Sequence, residues 1–386
     1  MCKFVNKIFA LCLVLALAFV MVSCSGKKDT SIADAPAFAD TSLDIVCEDG
    51  KIFVRGSFSY LGTDALEYTV KCMNTKDENK PLEIVKNYTY SDDNSSFEIV
   101  IPVTAKKHEI KAEVVTKAGV EIMPSKERTI KSFRLLSVGN SFSVDAQQWM
   151  YGIAKDMGYD NVVLGNLYIG GCSLQGHFST YVNERSSYTY YKNTTGEWTE
   201  KAETSFMEGL TDEKWDYITL QQASPASGKP ESYEPYLSDL VKVIKLNRTN
   251  PDAEIIWHMT WAYAGDSTYE HFANYDYDQM KMYDAIVGAT KEKVVDNVDI
   301  AYVIPSGTAI QNARNTTLGD TLCRDGFHLD LGYGRYLAGL TWMHKITGKS
   351  IDDVTYIPDE MFGEDTLEIL KDCAKNAVAN PFEVTK

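Results

Sequence analysis

The hydrophobic periodicity changes near residue 131, and this change is the strongest constraint on the fold. After Lys131, short apolar segments alternate with segments whose apolar residues recur at helical spacing. The apolar segments are residues 133–138, 162–169, 217–220, 255–260 and 300–304, and the helical segments are residues 146–157, 237–246, 280–294 and 336–346. Five such units predict an α/β domain over residues 132–386, with a parallel, doubly wound sheet between two layers of helices.

Residues 42–131 follow a different pattern. Their apolar residues alternate with period two, and turn signals such as Asp49-Gly50 interrupt them about every ten residues. About seven short strands without a helical stripe predict a small all-β, immunoglobulin-like sandwich. Cys47 and Cys72 both lie on predicted strands, either as a disulfide or as buried free thiols.

The first residues have the pattern of a targeting signal. Lys3 and Lys7 precede an uncharged apolar run that is too short to span a bilayer as a stable helix. The run ends in a small residue followed by Cys24, which resembles the lipidation site of bacterial lipoproteins. The pattern predicts a lipoprotein signal peptide over residues 1–23, lipid on Cys24 and a flexible tether over residues 24–41. Ordinary secretion with a fortuitous cysteine is the alternative. We expect a location in the bacterial cell envelope, on the periplasmic or the outer face.

Composition excludes several classes of partner. The formal net charge of −16 argues against nucleic acid, because phosphate binding needs concentrated Lys and Arg. The sequence contains no Cys-x-x-Cys metal motif and no phosphate-binding loop of the Gly-x-x-x-x-Gly-Lys type. We therefore expect neither a metal nor another cofactor, and we expect membrane contact only through the lipid.

Candidate functional residues lie where predicted strands end, since sites of doubly wound sheets lie at the carboxyl ends of the strands. The first strand runs into Gly139-Asn140-Ser141, and a helix follows. Ser141 at a helix N-terminus is either a nucleophile or a helix cap. Asp325-Gly326-Phe327-His328 precedes the last predicted helix. The aspartate can orient the imidazole of His328, which can then accept a proton from a serine.

Together these two segments resemble the first and last motifs of the SGNH (GDSL-type) hydrolase superfamily, with Asn140 in place of the commoner Asp. The resemblance covers roughly residues 132–350 and implies a flavodoxin-like sheet. It implies that Ser141 is the nucleophile, His328 the general base and Asp325 the residue that orients it. It also implies an oxyanion hole formed by the Ser141 N–H, a glycine N–H after the second strand and an amide side chain after the third. Gly171 fits the glycine position, with Gly170 as the alternative.

The third motif departs from the superfamily pattern. Gln221-Gln222 follows the third strand in place of Gly-x-Asn-Asp. Adjacent strand residues point to opposite faces, so only one glutamine can face the site. We expect Gln221 to supply the third donor, with Gln222 as the alternative. An uncharacterised subgroup of exported bacterial lipoproteins is similar in this block and in its Gly-Asn-Ser motif.

Other polar and aromatic residues give weaker signals. His177 and His258 are expected to be core or surface histidines and not metal ligands. Residues 185–206 and 261–277 are predicted loops rich in Tyr and Trp, which either stack on sugar rings or pack locally.

The sequence predicts a serine esterase or deacylase that removes an ester-linked acyl group, with O-acetyl as the expected group, from an extracellular or envelope carbohydrate. One alternative is a glycan-binding lipoprotein that keeps the fold without catalysis. An acyltransferase on the same fold is a third hypothesis.

Overall fold

The computed structural model describes residues 38–75 and 81–385. Residues 38–139 of this range form seven strands: β1 (Phe38–Glu48), β2 (Lys51–Tyr60), β3 (Glu67–Thr75), β4 (Leu82–Thr89), β5 (Ser96–Pro102), β6 (Lys107–Thr116) and β7 (Glu121–Gly139). One antiparallel sheet has the order β1-β2-β5, and the other strands pair antiparallel in the order β4-β3-β6-β7. A single buried apolar cluster contains residues from both, including Val54 and Phe58 from one and Val70 and Ile110 from the other.

The predicted turn at Asp49-Gly50 joins β1 to β2. Both residues have positive φ, +47° and +69°, as a two-residue hairpin turn requires. Strand β1 begins at Phe38, so residues 38–41 belong to the strand and not to the predicted tether. The predicted signal peptide, Cys24 and the rest of the tether lie outside the described residues. No helix in the described ranges is long and apolar enough to cross a bilayer.

Strand β7 carries the chain directly from the all-β region into the α/β region. Up to Lys131 it pairs antiparallel with β6, and from Ser132 onward it pairs parallel with β8 (Asn161–Tyr168). The chain therefore passes from one region to the other within a single strand, which changes its partner between Lys131 and Ser132. Asp160 strengthens the junction, since its carboxylate accepts hydrogen bonds from Arg128 and from the Lys131 N–H at 2.7 and 2.9 Å.

The second sheet continues with β9 (Tyr188–Asn193), β10 (Trp198–Thr204), β11 (Tyr217–Leu220), β12 (Glu254–His258) and β13 (Val303–Ile304). Its parallel strands have the order β8-β7-β11-β12-β13, which is the flavodoxin-like order of second, first, third, fourth and fifth. The sheet is mixed and not wholly parallel, because β9 and β10 add an antiparallel hairpin at the β8 edge. Residues 188–204, predicted as loop, thus cover an edge that would otherwise expose unpaired backbone groups.

Nine α-helices occupy the described α/β region: α1 (Ser141–Gln147), α2 (Met150–Asp156), α3 (Leu174–Val182), α4 (Phe206–Thr211), α5 (Tyr236–Asn247), α6 (Gln279–Lys293), α7 (Ser306–Arg314), α8 (Tyr333–Thr347) and α9 (Glu364–Ala379). Helices α1, α2, α7, α8 and α9 contact one another, as do α3, α4 and α5. Every residue of the central strand β11 is buried, so both faces of the sheet are covered there. The predicted helix at residues 146–157 is two helices, the first starting five residues earlier.

Candidate active site

The turn between β7 and α1 places Ser141 at the first position of a helix. Asn140 is the helix cap, since its Oδ1 accepts a hydrogen bond from the Phe142 N–H at 3.0 Å. The sequence left open whether Ser141 is a nucleophile or the helix cap. Because Asn140 caps the helix, the Ser141 hydroxyl does not have that role. Gly139 is needed for packing and not for a positive φ, because a Cβ there would lie 2.5 Å from the Ser143 Oγ.

The loop before α8 brings an imidazole to this serine. His328 Nε2 lies 2.8 Å from the Ser141 Oγ, and His328 Nδ1 lies 2.7 Å from the Asp325 Oδ2. The structure therefore joins the three residues Ser141, His328 and Asp325, although 187 positions separate the serine from the histidine.

The Asp325 carboxylate is fixed by its own loop. Its Oδ1 accepts hydrogen bonds from the N–H groups of Phe327 and His328, at 3.2 and 2.8 Å. Burial raises the pKa of Asp325, but these bonds and the one to the imidazole outweigh burial and leave the pKa below its usual value. The loop also requires Gly326, whose φ is +87° and whose Cβ position would lie 2.7 Å from the Ser267 Oγ.

Asp145 links the helix of Ser141 to the loop of His328. It lies on α1 and is 1% exposed. Its Oδ2 accepts a hydrogen bond from the Leu329 N–H at 2.8 Å, and its Oδ1 lies 2.6 Å from Arg335 and 3.3 Å from Arg324. Ring contacts add a second link, since Phe142 stacks on Trp261 with centroids 4.2 Å apart, and Trp261 Nε1 donates to the Phe327 carbonyl.

Ser141 and His328 open into a cavity of about 540 Å³. Four aromatic side chains contribute to its wall: Tyr168, Tyr191, Tyr269 and Phe327. Of the aromatic residues predicted in the two connections, Tyr191 and Tyr269 thus reach the cavity. Most of the others are buried, including Tyr188, Trp261 and Tyr263.

The predicted oxyanion donors fall into two groups. Gly170 and Gly171 both line the cavity with Ser141, and Gly171 has a φ of +61°. Gln221 does not line the cavity. Its Nε2 donates to the Asn140 Oδ1 and its Oε1 lies 2.8 Å from His258 Nδ1, so it supports the serine turn from behind.

Gln222 also lies away from the cavity. Its Oε1 accepts hydrogen bonds from the Leu174 and Ala223 N–H groups, and its Nε2 donates to Ser232. Both glutamines are thus engaged with other protein groups. As expected for adjacent residues at a strand end, the two side chains lie in different surroundings, but neither lines the cavity.

The two histidines with weak signals are buried. Burial lowers the pKa of both His177 and His258 to about 3, so both are neutral. Across residues 38–75 and 81–385, no three His, Cys, Asp or Glu side chains are grouped to hold a metal ion. Cys47 and Cys72 are free thiols and not the disulfide considered from the sequence, and burial raises the pKa of each to about 11.

Sequence reasoning missed the charged side chains of the cavity, Asp145, Arg324 and Arg335. Arg324 could have been found, since it directly precedes Asp325. Nothing in the local pattern of α1 or α8 distinguishes Asp145 or Arg335 from surface residues of an amphipathic helix.

Comparison with known proteins finds a family match over more than half of the chain. Residues 134–377 match the family described as Domain of unknown function (DUF4886). The solved structure of a DUF4886 family protein from Bacteroides uniformis ATCC 8492 is 40% identical to the chain, with a TM-score of 0.63, and the match covers 66% of this chain and 98% of that one. No curated protein matches the sequence.

Two further solved structures are only distantly similar. A carbohydrate acetylesterase from Xanthomonas citri is 8% identical with a TM-score of 0.34, covering 82% of this chain and 76% of that one. An acetyl xylan esterase from Geobacillus stearothermophilus is 12% identical with a TM-score of 0.36, covering 56% of this chain and 95% of that one. At these values neither similarity transfers an activity to this chain.

Proposed function

Since the chain belongs to the DUF4886 family, for which the family description gives no activity, we propose its function from the geometry of the site. We propose that the protein is a serine ester hydrolase that removes an acyl group, most simply acetyl, from an extracellular or envelope carbohydrate. One observation carries the proposal: the unbroken hydrogen-bonded series from the Ser141 Oγ through the His328 imidazole to the Asp325 carboxylate.

The reaction follows from these contacts. The Ser141 Oγ attacks the ester carbonyl carbon while His328 Nε2 takes its proton, and the charge moves to the carbonyl oxygen. His328 then returns the proton to the departing sugar oxygen, and the acyl group stays on Ser141. Water attacks this acyl-enzyme with His328 again as base, which releases the carboxylic acid and restores the serine. Asp325 stabilises the imidazolium and fixes its ring.

The backbone N–H groups of Ser141 and Gly171 are the proposed oxyanion donors. An N–H at a helix N-terminus is unpaired within the helix and lies at the positive end of its dipole. The Gly-Asn-Ser and Asp-x-x-His motifs support this assignment through their resemblance to the SGNH hydrolases. We do not assign a third donor to Gln221, because its amide is bonded to Asn140.

The proposal concerns a carbohydrate because the cavity wall is aromatic. The apolar face of a pyranose packs on rings such as those of Tyr191 and Tyr269, which lie beside the proposed nucleophile. We also propose that the protein is attached to the cell envelope by lipid on Cys24.

The test is hydrolysis of 4-nitrophenyl acetate by the purified protein and by Ser141→Ala. We expect the variant to lose several decades of kcat. Ser227→Ala is the matched control, because the hydroxyl of this buried serine donates to the Ser224 carbonyl and does not line the cavity. Equal rates for wild type and Ser141→Ala would refute the esterase.

The missing third donor favours a second candidate, a glycan-binding lipoprotein without turnover. Losing one oxyanion donor costs about 10²–10³ in rate, so catalysis with two donors must be slower than with three. A binder would retain glycan affinity in Ser141→Ala and show no serine-dependent ester hydrolysis. An acyltransferase would release the acyl group faster when a sugar acceptor is added.

A further inference from the structure

Arg324 presents unused hydrogen-bond donors at the cavity that contains Ser141. Its side chain is 33% exposed, and its Nη1 contacts the Asp145 carboxylate and the Leu329 carbonyl. In the described part of the chain, the side-chain hydrogen bonds and the ion pair of Arg324 all use Nη1 and not Nε or Nη2. A guanidinium fixed through one nitrogen can therefore offer the other two to a ligand.

The charges lining this cavity are unbalanced toward the positive. Arg324 and Arg335 are both part of the lining, and Asp145 is the carboxylate of the same lining. Asp145 is buried, and its oxygens are occupied by the two guanidinium groups and by the Leu329 N–H. The nearby Asp325 carboxylate is turned to His328 and to backbone N–H groups.

The side chains that line the cavity carry a net charge opposite in sign to that of the whole molecule. The chain has a formal net charge of −16, which on average repels anions. The carboxylates of Asp145 and Asp325 are both engaged by protein donors, whereas Arg324 keeps donors free for an anion beside the space where the ester must bind. Guanidinium groups match carboxylate and sulfate oxygens in planar, two-bond geometry.

We propose that the substrate is the ester of an acidic carbohydrate, whose carboxylate or sulfate binds Arg324 while its ring packs on the aromatic wall. This inference rests on the proposed function and specifies its substrate class. Arg324 is then a specificity-determining residue, and it takes no part in proton transfer.

The experiment compares three acetylated methyl glycosides: a galacturonate, the neutral methyl ester of the same uronate and a galactose 6-sulfate. We expect kcat/KM of the wild-type protein to be at least tenfold higher for one or both anionic esters than for the neutral one. Comparing the galacturonate with the galactose 6-sulfate then shows whether the carboxylate or the sulfate is preferred. Arg324→Gln should bring the ratio close to one. Arg185→Gln, which removes an exposed arginine outside the cavity lining, should preserve the ratio.

A second measurement needs no variant, so it holds even if Arg324→Gln disturbs its loop. Added NaCl should raise KM for the preferred anionic ester of the wild-type protein and leave KM for the neutral ester unchanged, because salt screens charge–charge attraction. Serine-dependent hydrolysis without a preference for either anion would overturn the acidic-substrate inference alone. Binding of galacturonate or the sulfated sugar that requires Arg324, with no serine-dependent hydrolysis, would instead overturn the esterase and keep the anion site.

Discussion

The Gln221 amide donates a hydrogen bond to the Asn140 Oδ1 over 2.8 Å, directly behind the turn that carries Ser141. His258 fixes the amide from the other side, with Nδ1 2.8 Å from the Gln221 Oε1. The buried His258 is neutral and carries one ring proton. Since the amide oxygen of Gln221 can only accept, this proton lies on Nδ1, and His258 donates the hydrogen bond. Gln221 is therefore a positioning residue in the proposed mechanism.

We expect Gln221→Met to lower kcat by about 10- to 100-fold with little change in KM, since a misplacement of about 1 Å costs on the order of 10²-fold in rate. Methionine has a similar volume and no amide. Steady-state kinetics on 4-nitrophenyl acetate would measure the effect. Gln311→Ala is the control, because this buried glutamine bonds to Gln279 and Arg314 and does not line the cavity. An unchanged kcat in folded Gln221→Met would contradict the assignment.

Asp145→Asn should reduce both stability and activity. Removing this buried charge leaves Arg335, only 13% exposed, without its carboxylate, and such losses cost about 3–5 kcal/mol. We also expect a lower kcat per folded molecule, since Asp145 links α1 to the His328 loop. Urea unfolding and active-site titration separate the two effects.

The chain provides a matched control for Asp145 in Asp216. Its buried carboxylate makes two hydrogen bonds to Arg134, at 2.9 and 2.8 Å, at the opposite ends of the strands. Asp216→Asn should cost a similar free energy of unfolding and keep kcat per folded molecule. An equal loss of kcat per folded molecule in both variants would contradict a specific role of Asp145 at the site.

Asp325→Asn should lower kcat by about 10³–10⁴ with KM nearly constant, because an amide no longer stabilises the imidazolium or its tautomer. The pKa of Asp325 lies below its usual value, so the wild-type carboxylate is already charged at pH 5. The deficit of the variant should therefore persist across pH 5–9. Asp330→Asn, which alters the next carboxylate of the loop, is the comparison, and an equal deficit there would count against a specific role for Asp325.

Acid should destabilise the protein through its two buried histidines. The folded pKa of His177 and of His258 is about 3, whereas an unfolded histidine titrates near 6.5. The unfolded state therefore binds more protons between these values, and stability present above pH 6.5 is lost as the pH falls toward 3. The free energy of unfolding should fall by up to about 1.4 kcal/mol per pH unit for each histidine.

Urea unfolding at several pH values measures this slope. His177→Gln should make it shallower, whereas substitution of the partly exposed His271 by Gln should not. A slope that is the same in wild type and His177→Gln would contradict the assignment.

Cys24→Ala should release the protein from the membrane fraction in a bacterial host, because lipid attachment needs the thiol. Fractionation and metabolic labelling with a fatty acid would detect the change. Cys47→Ala is the control, since Cys47 lies in β1 and should leave the distribution unchanged. Labelling of Cys24→Ala equal to that of wild type would refute the anchor.

The sequence predicted the parts of the fold whose pattern is local. The apolar runs located the parallel strands, and residues 217–220 match β11 in both bounds. The antiparallel hairpin was missed because residues 185–206 were predicted as a loop whose aromatic residues either stack on sugar rings or pack locally, although Tyr188 and Tyr190 alternate as in a strand. Helix α9 was also missed, despite Leu367, Leu370, Ala374 and Ala377 at helical spacing.

The site residues show the same difference between what a local pattern predicts and what depends on contacts distant in the sequence. Two short motifs located Ser141, Asp325 and His328, because each motif keeps its residues within a few positions of one another. The environment of Gln221 depends on Asn140 and His258, which lie 81 and 37 positions away, and no local rule specifies those contacts. The pairing of Asp145 with Arg324 and Arg335 is equally non-local.

The continuity of β7 has a mechanical consequence. The strand that ends beside Ser141 begins in the all-β region, so one continuous strand connects the two regions. Within Glu121–Gly139, no flexible linker lies between them that would allow one region to rotate against the other. Residues 38–131 therefore hold the mouth of the cavity in a fixed orientation relative to Phe38, the first described residue. A flexible insertion at Lys131 would remove this fixed relation between the cavity and the small β-sheets, whereas a longer chain ahead of Phe38 would leave it unchanged.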